Sequence, residues 1–147
     1  MKWLAVLLPI SLASGPAAAA DWRYLGLKEP NRSLHYIDIA DIERKGNRVR
    51  FSTLFVDDPP TGGYGITRHE ADCRSAKERY LSIESYTAGN LDFTVKPSGN
   101  HPLTSKPGGA VAIAVACGKV PMPTEAAADP YADAVARIGA DRENATR

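Results

Sequence analysis

The sequence predicts an α+β fold: a small antiparallel β-sheet of about five to six strands, a short C-terminal helix packed on it and one disulfide. Three observations predict this class. Short segments rich in Val, Ile, Phe and Tyr are separated by turn residues, which is typical of an antiparallel sheet. The chain contains two cysteines, Cys73 and Cys117. Ala110 to Cys117 allows a short buried helix, and Asp129-Pro130 can cap a further one in the tail.

Residues 1–20 have the pattern of a removable export signal. Met1-Lys2 gives a positive start, Trp3 to Ala13 is mainly apolar, and Ala18 to Ala20 offers small residues for cleavage before Asp21. An uncleaved anchor is the alternative, but an apolar stretch of about 11 residues is shorter than the roughly 20 needed to span a bilayer. We therefore expect export to the periplasm, cell surface or extracellular medium, with no transmembrane segment in the mature chain.

Cleavage would leave 127 of the 147 residues, enough for one domain over residues 21–118 and an Ala- and Pro-rich tail over 119–147. The whole chain has 18 Lys and Arg against 17 Asp and Glu. A nucleic-acid-binding domain normally has a clear basic excess, so we expect no nucleic acid partner. The hydrophobic content of 44% is enough for a core and excludes wholesale disorder.

The first predicted strands are Trp22 to Leu27 and Leu34 to Asp38, joined by a turn at Lys28 to Arg32. Asp38 to Ile42 carries two possible caps and closely spaced apolar residues, which favours one helical turn. Lys45-Gly46-Asn47 then reverses the chain.

Arg48 to Val56 is the clearest predicted strand. Its residues alternate between an apolar set and a second set, Val49, Phe51, Thr53 and Phe55 against Arg48, Arg50, Ser52 and Leu54. Successive side chains of a strand point to opposite faces of the sheet. One face is therefore apolar, and the other begins strongly basic.

A surface loop and three further strands follow. Asp57 to Gly65 concentrates two prolines and three glycines, which predicts the loop. The predicted strands are Ile66 to Cys73, Arg79 to Ala88, and Leu91 to Lys96. Because short turns connect them, the sheet is predicted to be antiparallel.

The C-terminal part begins with a polar loop, Pro97 to Gly109. In Ala110 to Cys117, Val and Ile alternate with Ala, so both a strand and a short buried helix remain open. After Asp129, Tyr131, Val135 and Ile138 form one narrow apolar stripe of a helix. A single narrow stripe gives marginal stability, so we expect a loosely docked tail whose removal costs little.

The two cysteines are expected to form a structural disulfide, because thiols of exported proteins meet an oxidising compartment. Closing a loop of about 45 residues would stabilise the fold by roughly 4 kcal/mol in the loop-entropy model. A redox pair and a zinc site are the alternatives. A redox pair usually has a Cys-x-x-Cys spacing, and zinc needs further ligands nearby in the sequence. Neither pattern accompanies Cys73 or Cys117.

The order of motifs resembles the bacterial surface-adhesin protein E family. The matching segments are Trp22, Tyr36-Ile37-Asp38, Ile42 to Val49, Asp72-Cys73, Arg79-Tyr80, Pro107-Gly108-Gly109 and Cys117-Gly118. The resemblance covers almost all of residues 22–118. It implies a small α+β domain with a helix at the second cysteine, a disulfide between Cys73 and Cys117, and attachment to host surfaces or extracellular proteins.

The sequence gives no catalytic or metal-binding signature, so we expect no enzyme, no cofactor and no metal. His35, His69 and His101 lack the spacing that places two metal ligands on one helix or strand face. We interpret His69 as a neutral strand histidine or an exposed polar partner. A Gly-x-Ser-x-Gly elbow is missing, and Asp57-Asp58 is better explained as a loop cap than as an acid-base pair.

The leading hypothesis is therefore a non-enzymatic exported binding module for a protein or glycoprotein at the cell envelope. Its candidate contacts are Tyr64, Arg68, Arg48 and Arg50, because Tyr and Arg combine contact area with hydrogen bonding. The alternative for these residues is that Tyr64 covers the sheet and the arginines form a solvated face paired with acids of neighbouring strands.

Two further functions are weighed against this hypothesis. A periplasmic structural or assembly factor would dock its tail helix on a partner through Tyr131, Val135 and Ile138. A small hydrolase would need His and carboxylate side chains clustered in a pocket.

Overall fold

The computed structural model describes residues 19–28, 32–58, 60–98, 101–104 and 109–146. They form a six-stranded antiparallel sheet in which every strand pairs with the next one along the chain, and two helices. The elements are β1 Trp22–Lys28, β2 Ser33–Lys45, β3 Arg48–Val56, β4 Gly63–Asp72, β5 Lys77–Thr87, β6 Asn90–Val95, α1 Ala110–Ala116 and α2 Pro130–Ala145. The predicted α+β class is confirmed. The predicted signal segment, except for Ala19 and Ala20, lies outside the described residues.

The helices cover opposite faces of the sheet. On the α1 face, helix α1 packs against a buried cluster that includes Ile37, Val49, Phe51 and Ala71. On the α2 face, helix α2 packs against Leu34, Tyr36, Leu54 and Val56. Because Phe51 and Leu54 lie at positions of opposite parity in β3, they belong to the two different faces. The predicted alternation holds from Arg48 to Thr53, but Leu54 is also buried because α2 covers the second face.

The predicted helical turn at Asp38 to Ile42 is wrong, because this segment belongs to β2. The chain stays extended through this segment as part of one 13-residue strand, with a shift in pairing between Asp38 and Glu43. The Asp38 carboxylate accepts hydrogen bonds from the backbone N–H groups of Asp21 and Ala40, at 2.9 and 3.0 Å. Ile42 packs against the core of the α1 face. Tertiary contacts therefore override a local helical signal.

β4 begins within the predicted loop. Gly63 to Gly65 pair with Thr87, Tyr86 and Ser85 of β5, so the last three residues of the predicted Asp57 to Gly65 loop belong to the sheet. At Gly65 an added Cβ would overlap the Phe55 ring. Glycine is needed there because that ring occupies the space of a side chain.

Ala110 to Ala116 forms the helix α1, so the second of the two structures that periodicity left open, a short buried helix, is the one observed. Cys117 lies at its C-terminal cap, and Cys73 directly follows β4. Their disulfide connects residues 44 positions apart in the chain. The predicted pairing is confirmed, and it holds the end of α1 on the sheet.

α2 corrects the expectation of a loosely docked tail. Asp129 caps the helix by accepting a hydrogen bond from the N–H of Ala132, as its side-chain type predicts. Ala134 is fully buried and Ile138 is 4% exposed in the α2-face core, whereas Val135 faces solvent at 39% exposure. The tail is therefore part of the core, and the predicted stripe is only partly right.

Polar contacts also attach α2 to the sheet. The Tyr36 hydroxyl donates a 2.8 Å hydrogen bond to Asp133. Arg137 lies 4.0 Å from the centre of the Tyr24 ring and bonds to Asp133 and Glu125. Burial raises the pKa of the Tyr36 hydroxyl well above its ordinary value, and the bond to Asp133 adds to this effect. Tyr36 therefore stays protonated and serves as a donor.

Candidate functional site

The predicted arginines of β3 lie on the charged part of the α2 face, where β3 begins. Arg50 contacts Glu70 of β4 at 3.0 Å. Arg48 lies 3.9 Å from Glu70 and 3.8 Å from Asp72. Both arginine side chains are about half exposed, which matches the interpretation of a solvated face paired with acids of a neighbouring strand.

Arg68 and Tyr64 also have intramolecular partners. Arg68 lies 3.6 Å from carboxylate oxygens of both Asp41 and Glu43. Tyr64 packs against the α2-face core, and its ring stacks on Tyr86 at a centroid distance of 4.9 Å. The structure thus places the three predicted arginines on one part of the α2 face. Tyr64 lies apart from them, next to Tyr131 of α2. All four candidate contacts fit the alternative interpretation in which they stabilise the sheet.

Glu70 is the centre of this charged surface. Burial raises the pKa of its carboxyl group, but hydrogen bonds from Arg50 and Arg79 outweigh that effect and hold the pKa below its ordinary value. The Arg79 bond is 2.6 Å long. The ionised carboxylate therefore organises the arginines around it.

The α1 face contains a buried series of hydrogen-bonded side chains that was not predicted from the sequence. Thr53 Oγ1 lies 2.8 Å from His69 Nε2, and His69 Nδ1 lies 2.9 Å from Glu78 Oε2. The His69 ring stacks on Phe51 at a centroid distance of 4.8 Å. Glu78 is 2% exposed, and its carboxylate lies against Gly109 at the start of α1. His69 is therefore a buried strand histidine. The sequence offered no signal for this series because it depends on the register between three strands.

The distances between these three side chains match those of a nucleophile, a base and an acid, but all three side chains are buried. Thr53 and His69 are each 7% exposed. A hydroxyl nucleophile needs a neighbouring space for the reacting carbonyl and donors for the developing oxyanion. Neither Thr53 nor His69 lines the cavities described here. The arrangement accounts for the hydrogen bonds of buried polar groups, which is the ordinary requirement of a protein core.

The other histidines are separate from His69. His35 bonds to Ser33 at 2.9 Å and stacks on Phe55, while His101 is exposed near Arg79. Within the part of the chain that the structure describes, no group of three or more His, Cys, Asp or Glu side chains could hold a metal ion.

A cavity of about 240 Å³ opens on the α1 face between β3 and β6, beyond the area that α1 covers. The cavity has room because Gly63 of β4 has no side chain and Ser85 of β5 has a small one. Phe55 and Phe93 stand at its two sides. Two further open cavities lie between β5 and the segment that follows β6. Arg79, His101 and Pro102 line both of them.

β6 forms the border of the first cavity and is exposed at every residue. Leu91, Phe93 and Val95 are 53%, 56% and 50% exposed. Their alternation was visible in the sequence as a strand signal, but their exposure follows from the position of β6 at the edge of the sheet. This edge is the largest group of exposed apolar strand residues in the described part of the chain.

No family model, no curated protein and no solved structure matches this chain. None of the described helices is both long enough and apolar enough to cross a membrane.

Proposed function

We propose that this protein is an exported, non-enzymatic binding module that resembles surface-adhesin protein E and holds a protein or glycoprotein partner at the bacterial cell envelope. The observation that supports binding is the exposure of three apolar side chains on β6, Phe93 and Val95 on the α1 face and Leu91 on the other face. Apolar side chains grouped on a surface are characteristic of sites where another macromolecule covers them. The resemblance to protein E rests on the order of sequence motifs.

The side chains that could act as an acid or a base are bonded to other residues of the protein, which supports a non-enzymatic role. His69 is enclosed between Thr53 and Glu78, and Glu70 is held by arginines. A catalytic acid or base needs contact with a substrate, usually in a cleft. These groups instead stabilise the sheet.

The Cys73–Cys117 disulfide supports export, because such bonds persist mainly in oxidising compartments. It agrees with the leader pattern of residues 1–20. Tyr131, Ala134 and Ile138 of α2 pack on the protein's own sheet, so the tail supplies no argument for the periplasmic assembly factor.

The first experiment is protease shaving of intact cells, with an immunoblot for the protein and a known periplasmic protein as the control. Loss of the signal while the control survives is the expected result. Protection until the outer membrane is opened would contradict surface display and favour a periplasmic role.

The second experiment measures adhesion of cells to a basement-membrane coat, comparing a deletion strain complemented with wild type, Phe93→Lys or Val135→Lys. Val135 is also exposed but lies on the outer side of α2. We expect Phe93→Lys to reduce adhesion and Val135→Lys to preserve it. Equal adhesion of the deletion strain and the wild type would overturn the adhesive function.

A further inference from the structure

The two edges of the sheet are protected differently. The outer edge of β1 is paired with the segment before α2: the N–H of Tyr24 donates to the carbonyl of Glu125, and the N–H of Ala127 donates to the carbonyl of Trp22. Among the described residues, no segment pairs with the outer edge of β6. A free edge has unpaired backbone donors and acceptors and can accept another strand.

β6 is only partly protected against such pairing. Proteins protect free edges with charges, prolines, bulges or very short strands. β6 has a pairing shift opposite Ser85 and Tyr86 and one internal charge, Asp92, and its exposed apolar residues remain. An incoming strand would bury part of Leu91, Phe93 and Val95 as well as forming backbone hydrogen bonds.

The charge around the cavity next to β6 is complementary to a basic partner. Asp57 lines the cavity, and the lining contains no Lys or Arg. Glu84 also belongs to the lining, but its carboxylate accepts a 2.7 Å hydrogen bond from the Tyr86 hydroxyl. Asp92 lies beside the cavity and accepts a hydrogen bond from Thr87. Of the described cations, none forms an ion pair with these three acids.

Resting on the proposed function, we propose that β6 accepts an extended segment of a partner protein as a seventh strand, and that this segment alternates apolar and basic residues. In this mode of recognition, backbone hydrogen bonds give affinity and alternate side chains give specificity. Basic side chains on the α1 face can lay their aliphatic stems over Phe93 and direct their charges toward Asp92 and Asp57. The apolar side chains lie on the other face, next to Leu91.

The test uses the disulfide-intact chain from Asp21 to Arg147 and a fluorescein-labelled nine-residue peptide of alternating Val and Lys. Fluorescence anisotropy measures binding. We expect saturable binding that Phe93→Lys weakens at least tenfold, that Asp92→Asn weakens several-fold, and that Val135→Lys leaves unchanged. Circular dichroism verifies that each variant is folded.

Two control peptides separate backbone pairing from charge. A fully backbone N-methylated analogue retains the side chains but cannot donate backbone hydrogen bonds, so its binding should be lost. A Val and Glu peptide should bind at least tenfold more weakly than the Val and Lys peptide. Equal binding of the N-methylated analogue would overturn strand addition, and equal binding of the Val and Glu peptide would overturn the basic partner.

Sedimentation measures whether a second copy occupies the edge instead. A wild-type dimer that Phe93→Lys converts to a monomer would overturn the heterologous partner. Adhesion without peptide binding would refute strand addition while the binding function stands. Peptide binding by a protein that is protected from shaving would support strand addition and refute surface adhesion.

Discussion

Replacing Ile138 with alanine tests whether the C-terminal tail is part of the folding core. Ile138 is 4% exposed and packs in the α2-face cluster, and Val135 on the same helix is 39% exposed. Truncating a buried isoleucine removes apolar burial and leaves a cavity, which together cost about 3 kcal/mol. For a chain of this size that corresponds to a melting temperature about 10 °C lower. Val135→Ala should cost less than about 1 kcal/mol, because its side chain already contacts water.

Urea denaturation followed by circular dichroism measures both variants, and the midpoint and slope are compared with the wild type. A chain that ends at Gly118 should lose cooperativity as well as stability, since it lacks the whole of α2. Equal effects of Ile138→Ala and Val135→Ala would refute the reasoning. A truncated chain that unfolds as cooperatively as the wild type would show that the sheet does not need α2.

Three further predictions concern the disulfide, α1 and Glu70. Cys73→Ser should lower stability by roughly 4 kcal/mol in oxidising buffer, and adding Cys117→Ser should cost little more because the same bond is already lost. Gly109→Ala should cost about 1–3 kcal/mol in urea denaturation, because its Cβ would lie 2.6 Å from Glu78 Oε1, a carboxylate that is buried. The lowered pKa of Glu70 stabilises the fold above the ordinary value of 4.5, and this contribution is lost as pH falls through the folded-state pKa. Glu70→Gln should therefore flatten the dependence of unfolding free energy on pH in the acidic range.

Each of these predictions has a result that would contradict it. Equal melting of the wild type with and without reductant would exclude the stabilising role of the disulfide. Gly139→Ala is the control for Gly109→Ala, because an added Cβ there meets no atom within 4 Å and alanine favours a helix. A similar loss of stability in both glycine variants would rule out the contact with Glu78. A Glu70→Gln variant that keeps the full acid sensitivity of the wild type would refute the contribution of Glu70.

The local sequence was sufficient for β3 and for the tail cap. The alternation around Val49 and Phe51 predicts β3, because side chains of a strand point alternately to two faces. Asp129 predicts the start of α2, because its side chain can satisfy a free backbone donor of the first turn. These signals act between neighbours in the chain. The pairing of Cys73 with Cys117 was also predictable, because the chain offers no other thiol partner.

The tertiary structure decided which signals prevail and which surfaces remain open. The segment Asp38 to Ile42 is extended rather than helical because Asp38 and Ile39 bond to Asp21 and Ile42 packs against the core. The tail helix became part of the core because the second face of the sheet presents Tyr36 and Leu54 to it. The partners of Arg50 and His69 depend on strand register, which local periodicity does not specify. The exposure of Phe93 likewise follows from strand order, because only an edge strand lacks a neighbour on one side.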